Sequence, residues 1–245
     1  MAELVKRETR GGAVHLILNR PDKLNALTVG MFSELRDAVE DLQNDNDVKC
    51  VVIRGEGRCF SAGHDLGDIG AGEDVPSKGW HSETLRMLEL LPQPVIAAVH
   101  SHCYTGALEV AMAADFIVAS DDAKFADTHA KWALTPIWGM SQRLPRRVGI
   151  ATAKMLMFTA QTLDAAAALD IGLCEAVYPA GEFLERVDEM TRQIVENSSF
   201  STAAYKRLLN TTDGMPLDAG LAYEVFHCEG VGPDMGQRLQ AFSKR

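Results

Sequence analysis

The chain has 245 residues, of which 47% are hydrophobic, so it can bury the core of one large domain and is not a small disulfide-stapled scaffold. Its formal net charge of −10, with no run of lysines or arginines, argues against a nucleic-acid partner. The five cysteines have no C-x-x-C spacing, and no apolar run approaches the roughly 18 residues that cross a bilayer, so we expect a cytoplasmic protein without membrane contact and without a metal site.

The first part of the chain alternates predicted strands and helices. Strands are expected at Leu4–Arg10 and Ala13–Leu18, which flank Gly11-Gly12 as a hairpin, and Thr28 is a candidate N-cap for the helix that follows. Short apolar runs, typical of buried strands, lie at Cys50–Ile53, Val95–Val99 and Phe116–Ala119. Helices are predicted at Ser82–Leu91 and Gly106–Ala114, and residues 67–78, rich in glycine and aspartate, are predicted to form a mobile loop. This alternation predicts an α/β fold.

The second part of the chain is mostly helical. Helical segments are predicted at Ala151–Thr159, Ala165–Leu169, Phe183–Asn197, Ser199–Leu209 and Leu217–Cys228, with one strand at Cys174–Tyr178. No strand is predicted after that one, so the C-terminal part is expected to be a helical appendage.

Two glycine-containing turns carry the strongest chemical signal. In Cys59–Leu66, Gly63 permits a tight turn and His64 is expected to open a short helix with its N–H pointing outward. In Thr105–Glu109, Gly106 begins an apolar helix and has no acceptor for its own N–H. Two such donors that converge on one carbonyl oxygen form an oxyanion hole, which predicts acyl chemistry.

Glu109 is the candidate acid–base group. It lies three residues after Gly106 on the same helix face, and helical side chains lean toward the N-terminus. Its neighbours Ala107, Leu108, Val110 and Ala111 are apolar, and a carboxylate buried among them needs a functional reason.

Several motifs in order resemble the enoyl-CoA hydratase/isomerase (crotonase) superfamily. Residues 19–27 are similar to the family's early loop, which lies on the adenine side of coenzyme A. Residues 60–66 are similar to its first oxyanion segment, and residues 111–115 are similar to the end of the helix that follows the second oxyanion segment. The stretch from Lys124 to Pro136 and the stretch from Gln142 to Gly149 resemble the next active-site segment. The resemblance implies a crotonase-like fold of repeated ββα units, with a core over residues 1–190 that holds the coenzyme A and oxyanion sites, and a helical trimerisation region over 191–245.

The resemblance also assigns residues. It implies that the N–H groups of His64 and Gly106 hold the thioester oxygen and that Glu109 is the first of two catalytic carboxylates, while the second position holds His129. Asp127, two residues before His129, is a lesser candidate as its orienting partner. A histidine can take or give a proton there with altered geometry. The segments implied to bind coenzyme A contribute Lys23, Leu24, Ala26, Ala62, His64, Asp65, Leu66 and Gly106, and Lys206 is a further candidate cation for its phosphates.

We therefore expect an enzyme that adds water to, or removes it from, a 2-enoyl-CoA thioester. Two alternatives stay open because His129 replaces a carboxylate. The first is another enolate reaction on an acyl-CoA, either isomerisation or decarboxylation, although Pro136 stands where a decarboxylase tyrosine is expected. The second is a non-catalytic acyl-CoA-binding protein. No cofactor is expected beyond the coenzyme A of the substrate, and the resemblance implies a homotrimer or a dimer of trimers.

Overall fold

A six-stranded sheet forms the centre of the fold in the computed structural model, which describes residues 3–244. The strands are β1 (Val5–Arg10), β2 (Ala13–Leu18), β3 (Cys50–Gly55), β4 (Val95–Val99), β5 (His102–Tyr104), β6 (Phe116–Ser120), β7 (Lys124–Ala126), β8 (Leu163–Asp164) and β9 (Ala176–Tyr178). The central sheet has the order β1-β2-β3-β4-β6-β9; β1 pairs antiparallel with β2, and the other pairs are parallel.

Helices make up much of the rest of the described chain. They are α1 (Val29–Leu42), α2 (Leu66–Ala71), α3 (Trp80–Glu89), α4 (Gly106–Met112), α5 (Met140–Val148), α6 (Ile150–Thr159), α7 (Ala165–Asp170), α8 (Phe183–Glu196), α9 (Ser199–Thr212), α10 (Leu217–His227) and α11 (Met235–Phe242). Thr28 caps α1 as predicted, since its side chain accepts a hydrogen bond from the Met31 N–H at 3.2 Å.

Alternation along the strands divides the core in two. Val14 and Leu16 of β2 belong to the larger apolar cluster, together with residues of α1, α3 and α4. Cys50 and Val52 of β3 point to the other face, where Phe183 and Val187 of α8 cover them. Both faces are therefore buried, which explains why these strands are continuous apolar runs in the sequence.

The α/β prediction is confirmed, and several local predictions need correction. Residues 66–71 are not a loop but helix α2, because Asp65 caps its first turn by accepting from the Gly67 N–H at 2.9 Å. His64 therefore precedes this helix rather than opening it. Strands β5, β7 and β8 are too short to show a sequence pattern, and α5 and α11 were not predicted. Residue 190, the predicted domain boundary, lies within α8, and the two-part division stays a prediction.

A smaller sheet, of order β5-β7-β8, brings the chemical segments together. Strands β5 and β7 are parallel, with Tyr104 opposite Ala126, so the residues that follow each strand emerge at the same edge. A bridge between Ser61 and Cys103 places the segment before His64 beside β5. The turns at 61–64, 105–109 and 127–129 therefore meet at one place.

In the part of the chain that the structure describes, no helix is long and apolar enough to cross a membrane.

Candidate active site

The N–H groups of His64 and Gly106 lie side by side. A methyl group built on Gly106 would be 3.3 Å from the His64 nitrogen, and one built on Gly63 would be 3.5 Å from the Gly106 nitrogen. Neither amide donates a hydrogen bond to another residue within 3–244, although the neighbouring amides of Leu27, Asp65 and Thr105 all do. Two unpaired donors at one cavity are the arrangement that binds an oxyanion.

Glycine is required at both turns. Gly63 has φ of 101°, and a Cβ there would lie 2.5 Å from the Tyr104 carbonyl oxygen. The Trp138 ring packs directly against the Cα of Gly106, so a Cβ at this position would lie 2.5 Å from Cζ3 of the ring. These close approaches allow the two segments to bring their amides together.

Thr105 turns the chain from β5 into α4 with strained backbone angles, φ 52° and ψ −110°. Its side chain supports this conformation, because Oγ1 accepts the Thr128 N–H at 3.1 Å and lies 2.5 Å from the Thr128 hydroxyl oxygen. Its own N–H donates to the Ala126 carbonyl at 2.8 Å. The strained turn that aims the Gly106 N–H is thus tied to the end of β7.

Glu109 lies on α4, one turn after Gly106, and is 1% exposed. Its Oε1 accepts hydrogen bonds from the Trp138 N–H at 3.0 Å and the Met140 N–H at 2.9 Å. Its Oε2 is buried with no partner among the described residues. Burial raises the pKa of Glu109 to about 7, against the opposing effect of the Met140 N–H and His129. A carboxyl group with this pKa can give or take a proton near neutral pH.

His129 faces the free oxygen of Glu109. Its Nδ1 lies 2.6 Å from Oδ1 of the buried Asp127, which also accepts the His129 N–H at 3.1 Å. With Nδ1–H donated to this carboxylate, a neutral ring carries its lone pair on Nε2. Nε2 lies 3.9 Å from Glu109 Oε2, too far for a direct hydrogen bond.

The predicted catalytic residues share one cavity of about 180 Å³, lined by His64, Ile69, Glu73, Gly106, Glu109, His129, Leu134, Thr135, Ile137 and Trp138. A second cavity of about 310 Å³ adjoins it through His64, Ile69, His129 and Leu134. Ala62 and Leu66, both predicted to contact coenzyme A, line this second cavity, as do Trp132 and the cation Lys131.

The other residues predicted for coenzyme A lie on adjoining segments. The Leu24 carbonyl accepts the Ala62 N–H at 2.9 Å, and Lys23 and Ala26 flank it along the chain. Asp65 pairs with Arg20 at 3.1 Å, which ties the early loop to the oxyanion segment. These roles in binding stay predictions.

Lys206 is not available for coenzyme A. It is 8% exposed, and its Nζ lies 2.8 Å from Asp115 Oδ2 and 3.0 Å from the Gln93 carbonyl oxygen that it donates to. Its ammonium group pairs with the Asp115 carboxylate, whose side chain is 22% exposed, and joins α9 to the core. The candidate cation that sequence reasoning missed is Lys131, beside the second cavity.

Two further site features were not predicted. The backbone N–H groups of Trp138 and Met140 hold Glu109. Glu73 reaches His64, with Oε1 2.5 Å from Nε2. No sequence signal marks Glu73, because it lies in a glycine-rich segment without periodicity.

Comparison with known proteins agrees with this arrangement. The sequence model of the enoyl-CoA hydratase/isomerase family matches residues 8–230. The probable peroxisomal enoyl-CoA hydratase 1 of Arabidopsis thaliana is 35% identical over 97% of this chain and 91% of its own. An enoyl-CoA hydratase structure from Bacillus anthracis superposes with a TM-score of 0.93 and 30% identity, over 99% of this chain and 96% of its own. A putative enoyl-CoA hydratase from Thermobifida fusca, solved in complex with acetoacetyl-CoA, gives a TM-score of 0.84 at 27% identity, over 91% and 92% of the two chains.

The chain therefore belongs to the enoyl-CoA hydratase/isomerase family and has the crotonase fold.

Proposed function

We propose that the protein is an enoyl-CoA hydratase, which adds water across the α,β double bond of a 2-enoyl-CoA. The observation that carries this proposal is the placement of two buried proton-transfer atoms, Glu109 Oε2 and His129 Nε2, 3.9 Å apart in a cavity that also contains two unpaired amides. The names of its relatives and the acetoacetyl-CoA held by one of them support an acyl-CoA substrate.

The thioester oxygen accepts hydrogen bonds from the His64 and Gly106 N–H groups. These amides stabilise the negative charge that develops on this oxygen when the thioester becomes an enolate. Each such donor is worth about 2.7–4 kcal/mol in the transition state.

Water is activated between the two side chains. A water oxygen at hydrogen-bonding distance, about 2.8 Å, from both Glu109 Oε2 and His129 Nε2 fits across a 3.9 Å separation. His129 takes a proton from this water as the oxygen adds to the β-carbon, and Asp127 stabilises the imidazolium that forms.

Glu109 completes the addition. With a pKa of about 7, it is substantially protonated at neutral pH and delivers its proton to the α-carbon of the enolate. The proton held by His129 then passes to the Glu109 carboxylate, which restores both groups. The chemistry uses backbone donors and acid–base side chains of the chain itself, without a metal or redox cofactor.

The test follows loss of the conjugated thioester absorbance of crotonyl-CoA with purified protein. We expect Glu109→Gln and His129→Gln each to lower kcat by about 10²-fold or more, the range of general acid–base catalysis. Glu182→Gln, at an exposed glutamate outside the cavity, is the matched control and should keep wild-type activity.

Other outcomes identify the alternatives. Shift of a double bond, dependent on Glu109 alone, would indicate an isomerase, and loss of carbon dioxide from a carboxylated acyl-CoA would indicate a decarboxylase. Binding of acyl-CoA with no turnover of any substrate would indicate a binding protein and would refute the hydratase proposal.

We further propose assembly as a homotrimer or a dimer of trimers through the C-terminal helices. Large apolar side chains are exposed there, including Leu217 (76%), Phe226 (83%) and Phe242 (78%), and many exposed apolar side chains in one region favour an interface. Light scattering on the purified protein measures this directly, and a monomer would contradict it. The cytoplasmic setting stays a prediction from the sequence.

A further inference from the structure

The acyl cavity contains a carboxylate that the hydration chemistry does not use. Helix α2 and the segment after it bring Ile69 and Glu73 to the cavity wall. Glu73 is 14% exposed at its side chain, and its Oε1 contacts Nε2 of His64 at 2.5 Å. No hydrogen bond joins its second oxygen, Oε2, to any residue between 3 and 244.

Glu73 lies where the tail of the acyl group must pass. The thioester carbonyl and the reacting carbons occupy the space between the two amides and the Glu109–His129 pair. The rest of the cavity wall comes from Ile69, Glu73, Leu134, Thr135, Ile137 and Trp138. Glu73 is the ionisable group among these residues, and most of the others are apolar.

The charges decide which tail fits. Glu73 presents its carboxyl group on the cavity wall, where Oε1 contacts His64 and Oε2 has no partner among the described residues. A carboxylate on the acyl tail would be repelled. A purely hydrocarbon tail would cover Oε2 of Glu73 without replacing its hydrogen bonds to water, which is unfavourable.

We infer that the preferred substrate is an enoyl-CoA with a hydroxyl group on its acyl tail, because Glu73 lines the cavity and its Oε2, without a hydrogen-bond partner among residues 3–244, is available to accept from it. This specificity rests on the proposed hydratase function. The apolar side chains of Ile69, Leu134 and Ile137 contact the carbon part of the tail, and Glu73 recognises the hydroxyl.

The experiment compares matched acyl-CoA thioesters. Crotonyl-CoA and its analogue with a hydroxyl on the terminal carbon form one pair, and the same two compounds extended by one carbon form a second. We expect the wild type to favour the hydroxylated member of at least one pair by about 10- to 100-fold in kcat/KM, the effect of one hydrogen bond to a charged group. Glutaconyl-CoA, which carries a carboxylate, should be the poorest substrate.

Variants at position 73 locate the preference. Glu73→Leu should reverse it, so that the unhydroxylated member becomes the better substrate, and Glu73→Gln should improve the use of glutaconyl-CoA relative to crotonyl-CoA. Asp74→Asn removes a carboxylate from the next residue, which is exposed and does not line the cavity, and should leave every ratio at its wild-type value.

A binding measurement separates this inference from the hydratase proposal. The dissociation constants of saturated four-carbon acyl-CoA thioesters, with and without the terminal hydroxyl, report the same preference without turnover. If the wild type turns over crotonyl-CoA but shows no preference for hydroxylated thioesters in either assay, or if Glu73→Leu retains the preference, the inference is wrong and the hydratase proposal stands. If no substrate is turned over while the binding preference persists, the hydratase proposal fails and the recognition by Glu73 is retained.

Discussion

Substitution of Gly106 by alanine separates catalysis from stability at the oxyanion hole. The added methyl group would lie 2.5 Å from Cζ3 and 3.1 Å from Cε3 of Trp138, and 3.3 Å from the His64 nitrogen. It therefore overlaps the indole ring and also occupies space beside the two donors. Overpacking of this kind costs about 1–3 kcal/mol of folding free energy. Displacement of one oxyanion donor lowers kcat by about 10²–10³-fold.

A second substitution distinguishes these two effects. Trp138→Leu removes the ring atoms that the methyl group strikes but keeps the backbone N–H that donates to Glu109. We expect Gly106→Ala to destabilise the Trp138→Leu protein less than the wild type, with a coupling free energy of about 1–3 kcal/mol. The rate should not recover, because the methyl group still lies beside the His64 nitrogen.

The measurements are urea unfolding for stability and loss of crotonyl-CoA absorbance for kcat. Gly236→Ala makes the same change in α11, where nothing lies within 4 Å of the new methyl group, and should leave kcat unchanged without lowering the unfolding free energy. The proposed hole would be refuted if Gly106→Ala kept kcat within threefold of the wild type, or if Trp138→Leu restored the rate of the double variant.

Two further predictions concern buried charge. The folded-state pKa of Glu109, about 7 against an ordinary value of 4.5, means that the folded protein retains a proton that the unfolded chain has released. Stability from this group is therefore present at low pH and is lost as the pH rises from about 4.5 to about 7, by about 3 kcal/mol. The Glu109→Gln side chain cannot ionise, so the unfolding free energy of this variant, measured in urea, should rise by about 3 kcal/mol relative to that of the wild type between pH 4 and pH 8. If the two proteins show the same dependence of unfolding free energy on pH, the burial argument is wrong. Lys206→Met leaves Asp115 without its cation, although its carboxylate still accepts the Val95 N–H, and should lower the unfolding free energy by about 1.5–3 kcal/mol, while adding Asp115→Asn should recover part of the loss. If Lys206→Met alone is as stable as the wild type, the Lys206–Asp115 pair does not anchor α9.

The elements that the sequence predicts correctly are those whose structure one local pattern determines. The strands at Cys50–Gly55 and Val95–Val99 are buried on both faces, so continuous apolar runs predict them. The burial of Glu109 followed from its apolar neighbours alone. Helix α2 was not predicted because Gly67 and Gly70 lower its intrinsic helix propensity. The residue that starts it, the N-cap Asp65, precedes the helix and is not followed by an apolar periodicity. The burial of Lys206 was missed because its partner is distant in sequence.

The relation between Glu109 and His129 depends on a feature that no local pattern contains. Their separation of 3.9 Å follows from the parallel register of β5 and β7, in which Tyr104 lies opposite Ala126, and from the Thr105–Thr128 contacts just beyond that pair. Side chains alternate between the faces of a strand, so a register shifted by one residue would turn the end of β7 over relative to α4. His129 would then leave the cavity, although every residue named as catalytic would still be present in the sequence. The register of two three-residue strands therefore determines whether this chain has an acid–base pair at all.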